Sequence, residues 1–313
     1  MQISLIIPIY NREKFLPRLF RSLSQISMQG MELIIVDDGS TDQSASLAKE
    51  FVCSSAHNFF EHAEFLTMPH RGPCAARNKG FEKASGEYVF FFDSDDEINA
   101  EFFVDAKPYF GADLICAPTQ IISDNGKRQK RQTICPTTPE AHMVGAVLST
   151  QTCLIRKDFA ANIAWDESIR RWNDWEYFLR ILLQKPRIAW LKNTYHKIYS
   201  HSEQITSRSF SQDLKSLNHT LLVAFNDIKQ QDVSQRKVLY DALAAKAMLL
   251  SAHIYKEGHK ELARKNLRYW QQQPSLRAFI RKARPIFWLD CHGMRGAWRL
   301  YLWLIEHTVT INS

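Results

Sequence analysis

Three apolar runs in the first hundred residues, "ISLIIPIYN" (3–11), "MELIIVDDGS" (31–40) and "EYVFFFDSDD" (87–96), each end abruptly in polar residues. Apolar stretches of this kind suit strands covered on both faces. "FLTM" (65–68) is a weaker strand candidate between them, and "EKFLPRLFRSLSQIS" (13–27) and "GPCAARNKGFEKAS" (72–85) are helical spacers. Strand and helix in alternation predict an α/β fold, a mainly parallel sheet flanked by helices. Ligands in such sheets bind outside the carboxyl ends of the strands. The polar residues fall at those ends.

The third run puts Asp93, Asp95, Asp96 and Glu97 directly behind Tyr88–Phe92. Crowded carboxylates repel one another and need a compensating cation. A calcium loop of the EF-hand type fails, because its required Gly and Glu positions hold Ile98 and Val104. Capping of a following helix explains Asp96 and Glu97 but not Asp93, which sits at the strand end. A divalent ion held by Asp93-Ser94-Asp95 and shared with a diphosphate uses the hard oxygen ligands that Mg2+ or Mn2+ prefer.

The chain of 313 residues suits one large domain and a smaller one. No apolar run approaches the roughly 18 residues of a membrane span, and the start lacks the basic n-region of a signal peptide. Six cysteines without a C-x-x-C pair predict reduced thiols in a cytosolic protein. Charge is unevenly placed: residues 206–313 carry 17 Lys+Arg against 8 Asp+Glu, while 1–205 carry 23 against 25. A strongly basic second part predicts an anionic partner. "KRQKR" (127–131) is expected to be a solvated loop.

Five motifs in a fixed order, "SLIIPIYN" (4–11), "IIVDDGSTD" (34–42), "RGPCAARNKG" (71–80), "YVFFFDSDDE" (88–97) and "WNDWEYFLR" (172–180), resemble the family 2 glycosyltransferases. The resemblance covers about two-thirds of the chain. It implies the GT-A nucleotide-diphospho-sugar transferase fold over residues 1–205, with a helical, basic and aromatic region at 206–313. It also implies roles for single residues. Pro8 and Tyr10 border the nucleotide, Asp38 accepts a hydrogen bond from the base, and Arg77 lies over the nucleotide side. Asp93 faces ribose and metal, and Asp95 ligates a Mn2+ or Mg2+ ion. In "YHKIYSHSEQITSR" (195–208), His201 is the better placed of two histidines to join the metal, and Ser202, Thr206 and Arg208 are within reach of a diphosphate. The residues alone leave other readings open. Tyr10 can be strand-end packing, Asp38 a turn residue, and Arg77 part of a solvated helix face.

Residues 173–183, "NDWEYFLRILL", carry the apolar stripe of a helix, with Asn173 expected as N-cap and Glu176 completing a capping box. Asp174 then lies in the first turn, where it can simply complement the helix dipole. The family resemblance implies more: its Glu-Asp pair supplies the general base through the Asp. Asn173 stands where that Glu is usual, and Asp174 is retained. The implied activity is inverting transfer from a nucleotide-sugar, usually UDP-linked, to a glycan or lipid-linked hydroxyl in cell-surface polysaccharide or lipopolysaccharide synthesis. The alternatives are a weak or inactive nucleotide-sugar-binding protein and a nucleotidyltransferase. The latter wants a Gly-rich loop that "PIYNREKF" lacks.

Between residues 259 and 300 ten Lys+Arg and two acidic residues are interleaved with Trp270, Phe279, Phe287, Trp288 and Trp298. The pattern suits either an interfacial segment on an anionic membrane surface or a lobe packing its aromatics inward. Nucleic acid fits poorly, since no recognition motif accompanies the charge. The expected location is cytoplasmic, peripheral on the inner face of the cytoplasmic membrane.

Overall fold

The computed structural model describes residues 2–26, 29–123, 128–130, 137–193, 195–201, 204 and 208–309, with the backbone alone at 128–130, 308 and 309. In chain order the first elements are β1 (Ile3–Ile9), α1 (Leu16–Leu23), β2 (Met31–Asp37), α2 (Ser44–Ser54), β3 (His62–Thr67), α3 (Pro73–Lys83) and β4 (Tyr88–Phe91). There follow α4 (Glu101–Ala106), β5 (Leu114–Cys116), β6 (Gln120–Ile122), β7 (Arg128–Lys130), α5 (Pro139–Gly145), β8 (Cys153–Arg156) and α6 (Lys157–Ala160). Next come α7 (Asn173–Leu183), β9 (Ile188–Trp190) and β10 (Lys197–Tyr199). The remainder is helical: α8 (Leu214–Lys229), α9 (Val233–Lys256), α10 (Lys260–Gln272), α11 (Pro274–Lys282), α12 (Arg284–Cys291) and α13 (Ala297–Val309).

The chain divides into two compact units, the first formed by residues 1–133, 148–177 and 184–202, the second by 134–147, 178–183 and 203–313. In the first, seven strands run in the order β3-β2-β1-β4-β8-β5-β9. All neighbours are parallel except β8, which is antiparallel to both β4 and β5. The strands β1, β2 and β4 are buried along their length, as continuous apolar runs require. The weaker strand β3 is half-exposed at the sheet edge. Helix α3 lies so close to the sheet that a Cβ at Gly80 would collide with the Ile6 side chain. Only glycine permits that approach.

A second sheet, β10-β6-β7, corrects the reading of "KRQKR" as a loop: residues 128–130 are a strand antiparallel to β6. A Lys/Arg-rich edge strand discourages pairing with other chains, so charge and strand are compatible. Lys127 and Arg131 lie outside the described residues. So does Cys135, while the other five cysteines are free thiols.

The second unit is built on α9, which is buried from Leu239 to Met248 and is packed by α5, α8, α10, α11, α12 and α13. The α9–α10 turn passes through Gly258 at φ +94, a backbone conformation that glycine adopts without strain. Among the described residues no helix is long and apolar enough to cross a membrane.

Candidate active site

The carboxyl ends of β1, β2 and β3 bring Tyr10, Asp38 and His70 together. Pro8 is buried within β1, opposite Val36, while Tyr10 follows the strand and is exposed. Asp38 is buried, and its two carboxylate oxygens accept the N–H groups of Arg71 and Gly72, each at 2.8 Å. Its Oδ2 also lies 2.8 Å from His70 Nδ1. The His70 imidazole stacks on Tyr10 with ring centroids 4.0 Å apart. Gly39 keeps this corner open: it sits at φ +74, and a Cβ there would come within 2.9 Å of the His70 backbone nitrogen. Asp38 therefore shapes the β3–α3 loop, and His70 is a participant the sequence did not suggest.

Behind β4, Asp93 is held on three sides. Arg77 Nη2 donates to Oδ1 at 2.7 Å, and Thr150 Oγ1 and Gln151 Nε2 donate to Oδ2 at 3.1 and 2.7 Å. Arg77 is buried, and its guanidinium stacks 4.5 Å from the Trp165 ring centroid. Gln151 Nε2 donates a second time, to Asp96 Oδ2 at 2.8 Å, and Asp96 Oδ1 accepts the Tyr199 N–H at 2.9 Å. Asp96 is 1% exposed. Burial, followed by the Asp95 and Asp93 charges, raises its pKa well above the usual carboxylate range. Glu97 is satisfied separately by Lys197 and the Tyr199 hydroxyl.

Asp95 faces a histidine and an arginine instead. His201 Nε2 lies 3.0 Å and Arg12 Nε 3.8 Å from its Oδ2. Arg18 donates to the Asp95 carbonyl and stacks 3.7 Å over the Tyr199 ring, and Phe15 stacks on His201 at 4.4 Å. The other histidine of that segment, His196, is fully buried against Phe90, Phe92 and Phe102, with its Nδ1 accepting the Asn99 N–H. Burial pushes its pKa down to about 3, which makes it a neutral core group. Ser202 and Thr206 lie outside the described residues, and Arg208 is exposed.

Among the described residues no group of three or more acidic, histidine or cysteine side chains converges on one point. Asp95 with His201 offers one oxygen and one nitrogen ligand. The Asp95 carboxylate fits Mn2+ or Mg2+, which take one or two protein ligands when phosphate oxygens and waters complete the shell, and the His201 nitrogen is a donor that the hard Mg2+ does not favour.

Helix α7 begins at Asn173, and the carbonyl that accepts the Glu176 N–H, at 3.0 Å, belongs to Trp172. Trp172 thus holds the cap position in place of Asn173, turning the chain at φ +60. A bulky residue in the left-handed region is costly and marks a backbone held in place by its surroundings. Asp174 follows in the first turn, its Oδ1 accepting the Trp175 N–H at 2.8 Å. Its charge reaches Arg77. Burial disfavours the Arg77 guanidinium, but the neighbouring carboxylates, Asp93 foremost, outweigh it, and the pKa is raised. Asp174 adds only a minor long-range contribution to that shift.

Thr150 and Gln151 carry no local signal; they reach Asp93 because β8 is inserted beside β4. Replacing Gln151 by Leu leaves the buried Asp96 and the half-buried Asp93 carboxyl groups each short of a donor, which costs ~1–3 kcal/mol. Gln151→Leu is expected to lower the melting temperature and to weaken nucleotide binding on the order of tenfold. Thermal melts and nucleotide titration check this, and wild-type values in both would exclude a positioning role.

The sequence profile described as "Glycosyl transferase family 2" matches residues 4–157. The chain belongs to that family. Solved structures share the fold. The structure of Staphylococcus aureus TarS 1–349 in complex with UDP-GlcNAc superposes with TM-score 0.70 at 20% identity, over 100% of this chain and 93% of that one. A mannosyltransferase from Pyrobaculum calidifontis, PcManGT, in complex with GDP-Man and Mn2+, gives TM-score 0.54 at 12% identity, over 92% and 87%. These likenesses show the GT-A fold, a mostly parallel mixed sheet flanked by helices, with a helical C-terminal region. In sequence, an uncharacterized glycosyltransferase of Haemophilus influenzae is 43% identical over 96 residues, 31% of this chain and 37% of that protein. TarS, a poly(ribitol-phosphate) beta-N-acetylglucosaminyltransferase, is 24% identical over 259 residues, 78% of this chain and 44% of its own length. The chain therefore spans less than half the length of these two curated relatives.

Proposed function

We propose that this family 2 member is an inverting, metal-dependent glycosyltransferase. It moves a sugar from a UDP-sugar to a hydroxyl of a glycan or lipid-linked acceptor in cell-surface polysaccharide synthesis. The observation that carries the reading is the Asp93 carboxylate clamped at the end of β4, next to the Asp95–His201 pair, with Asp174 retained in the first turn of α7. A nucleotide-binding end and a carboxylate base are what a one-step displacement needs. The Tyr10–His70–Asp38 corner offers a stacking surface and a buried acceptor for the base. Asp93, fixed by Arg77, Thr150 and Gln151, presents a preset carboxylate to the ribose side. Asp95, with His201 beside it, would hold a divalent ion, which when bound would supply positive charge to the departing diphosphate. Asp174 takes the proton of the incoming hydroxyl. The new C–O bond forms as the bond to the diphosphate breaks, so no covalent enzyme intermediate is required. The UDP preference is supported by the UDP-GlcNAc held by TarS, and the ion by the Mn2+ of the mannosyltransferase.

Asn173 in place of the usual Glu favours a second reading, a nucleotide-sugar binder with little or no transfer. A panel of nucleotide-sugars, assayed for free nucleotide with and without Mn2+ and with candidate acceptors, separates the two. The expected result is metal-dependent UDP release from one UDP-sugar, accelerated by an acceptor. Binding without release from any donor would establish the binder.

A further inference from the structure

The C-terminal aromatics differ in exposure, with Phe287 and Trp298 half-buried. Trp270, Phe279 and Tyr301 are buried in the second unit. Trp288 and Trp303 are instead 59% and 54% exposed, with Leu289 and Leu300 also open to solvent. The exposed pair occupies equivalent places in two nonamers, "RPIFWLDCH" (284–292) and "RLYLWLIEH" (299–307), which share Arg, Trp, Leu and His at the same positions. Each nonamer lies on a helix, α12 or α13, reaching one residue past the end of α12. Arg, Trp and His recur at four-residue spacing and therefore share one face. The local geometry repeats as well. The Trp288 and Trp303 rings stand against His292 and His307, with centroids 4.4 and 4.5 Å apart. Each histidine Nδ1 lies 2.7 or 2.8 Å from the carbonyl of its own Trp.

Both helices pack on α9 and on each other, burying Asp290 and Cys291 on α12 and Tyr301 and Ile305 on α13. The outward faces are thus Trp and Leu set among Arg284, Arg295, Arg299 and Lys282. A core helix has no use for an exposed tryptophan held against a histidine. Exposed Trp and Leu beside arginines match a boundary that is apolar on one side and negatively charged on the other. Asp290 is neutralised by Lys256, which leaves Glu306 as the acidic group on these two outward faces.

We propose that the α12–α13 face is a docking surface for an anionic lipid bilayer, with Trp288, Leu289, Leu300 and Trp303 entering the interface and the arginines meeting headgroup phosphates. This goes beyond the catalytic reading and does not depend on it. The test is co-sedimentation of the full chain with phosphatidylcholine vesicles and with vesicles that also contain phosphatidylglycerol, together with tryptophan emission. Binding is expected on the anionic vesicles alone, with a blue shift and a decline as salt rises. Trp288→Ser/Trp303→Ser and Arg284→Gln/Arg299→Gln should each weaken binding by about tenfold or more at an unchanged melting temperature, since each Arg near an anionic surface is worth roughly a fivefold gain. Equal partitioning onto neutral and anionic vesicles would overturn the proposal. So would wild-type binding in both double variants, or a dimer without vesicle binding that the Trp double variant abolishes.

Discussion

Asp174→Asn is expected to abolish most sugar transfer while leaving donor binding almost intact. A sugar hydroxyl is a poor nucleophile until its proton begins to leave, and a positioned base contributes ~10²–10⁴ in rate. The substitution keeps the shape of the side chain and a polar group in the first turn of α7, where Asp174 now accepts the Trp175 N–H. It removes the basicity. Turnover should therefore fall by two or more orders of magnitude, with UDP-sugar affinity within about twofold of wild type. A purely structural Asp174 gives the opposite pattern. Losing a carboxylate from a helix start costs ~0.3–1 kcal/mol of stability and leaves the transfer rate unchanged. Donor titration, melting temperature and turnover measured on this one variant decide between them. Near-wild-type turnover with a lowered melting temperature would place the base elsewhere.

The second large effect is at Asp95. Asp95→Ala removes the carboxylate that faces His201 and Arg12 and leaves the Asp93–Gln151–Asp96 set untouched. A metal contributes several kcal/mol to a developing negative charge, so transfer should fall at least ~100-fold. Stimulation by Mn2+ should vanish with it. The fold should survive, because Asp95 is one of the charges that press on buried Asp96, and its removal relieves that repulsion. Isothermal titration of UDP with and without Mn2+ reads the effect directly. Full metal-stimulated turnover in Asp95→Ala, or full wild-type activity in excess chelator, would remove the metal from the proposal.

The sheet was largely readable because its central strands are continuous apolar runs, and an apolar run that stops at Asp has few alternatives to a buried parallel strand. Asp38, Asp93 and Asp95 do lie at the carboxyl ends of such strands, while the roles proposed for them come from the family resemblance. Gln151 was not readable, since a glutamine in "LSTQTC" is ordinary until β8 lands beside β4. His70 was equally silent, as its stacking on Tyr10 depends on the turn that Asp38 holds. The cap of α7 was misread because Asn173 and Glu176 have the composition of a capping box, whereas the chain turns one residue earlier at Trp172. Capping preferences report what a helix start tolerates, and tertiary packing can move it by a residue.

The insertion of β8 has a consequence for the chain as it is being made. The strands β1 to β4 are sequential and can pair as soon as they leave the ribosome, but the far side of β4 stays open until residues 153–156 arrive. For that interval "YVFFF" is an unpaired edge of the kind that recruits other nascent chains. Directly behind it stand four carboxylates, not yet enclosed by the Gln151 amide or the Tyr199 N–H and fully hydrated. Flanking charges are how natural sequences keep such strands from sticking to one another. The aspartates proposed to hold the donor thus have an earlier occupation, as electrostatic guards of an unfinished sheet.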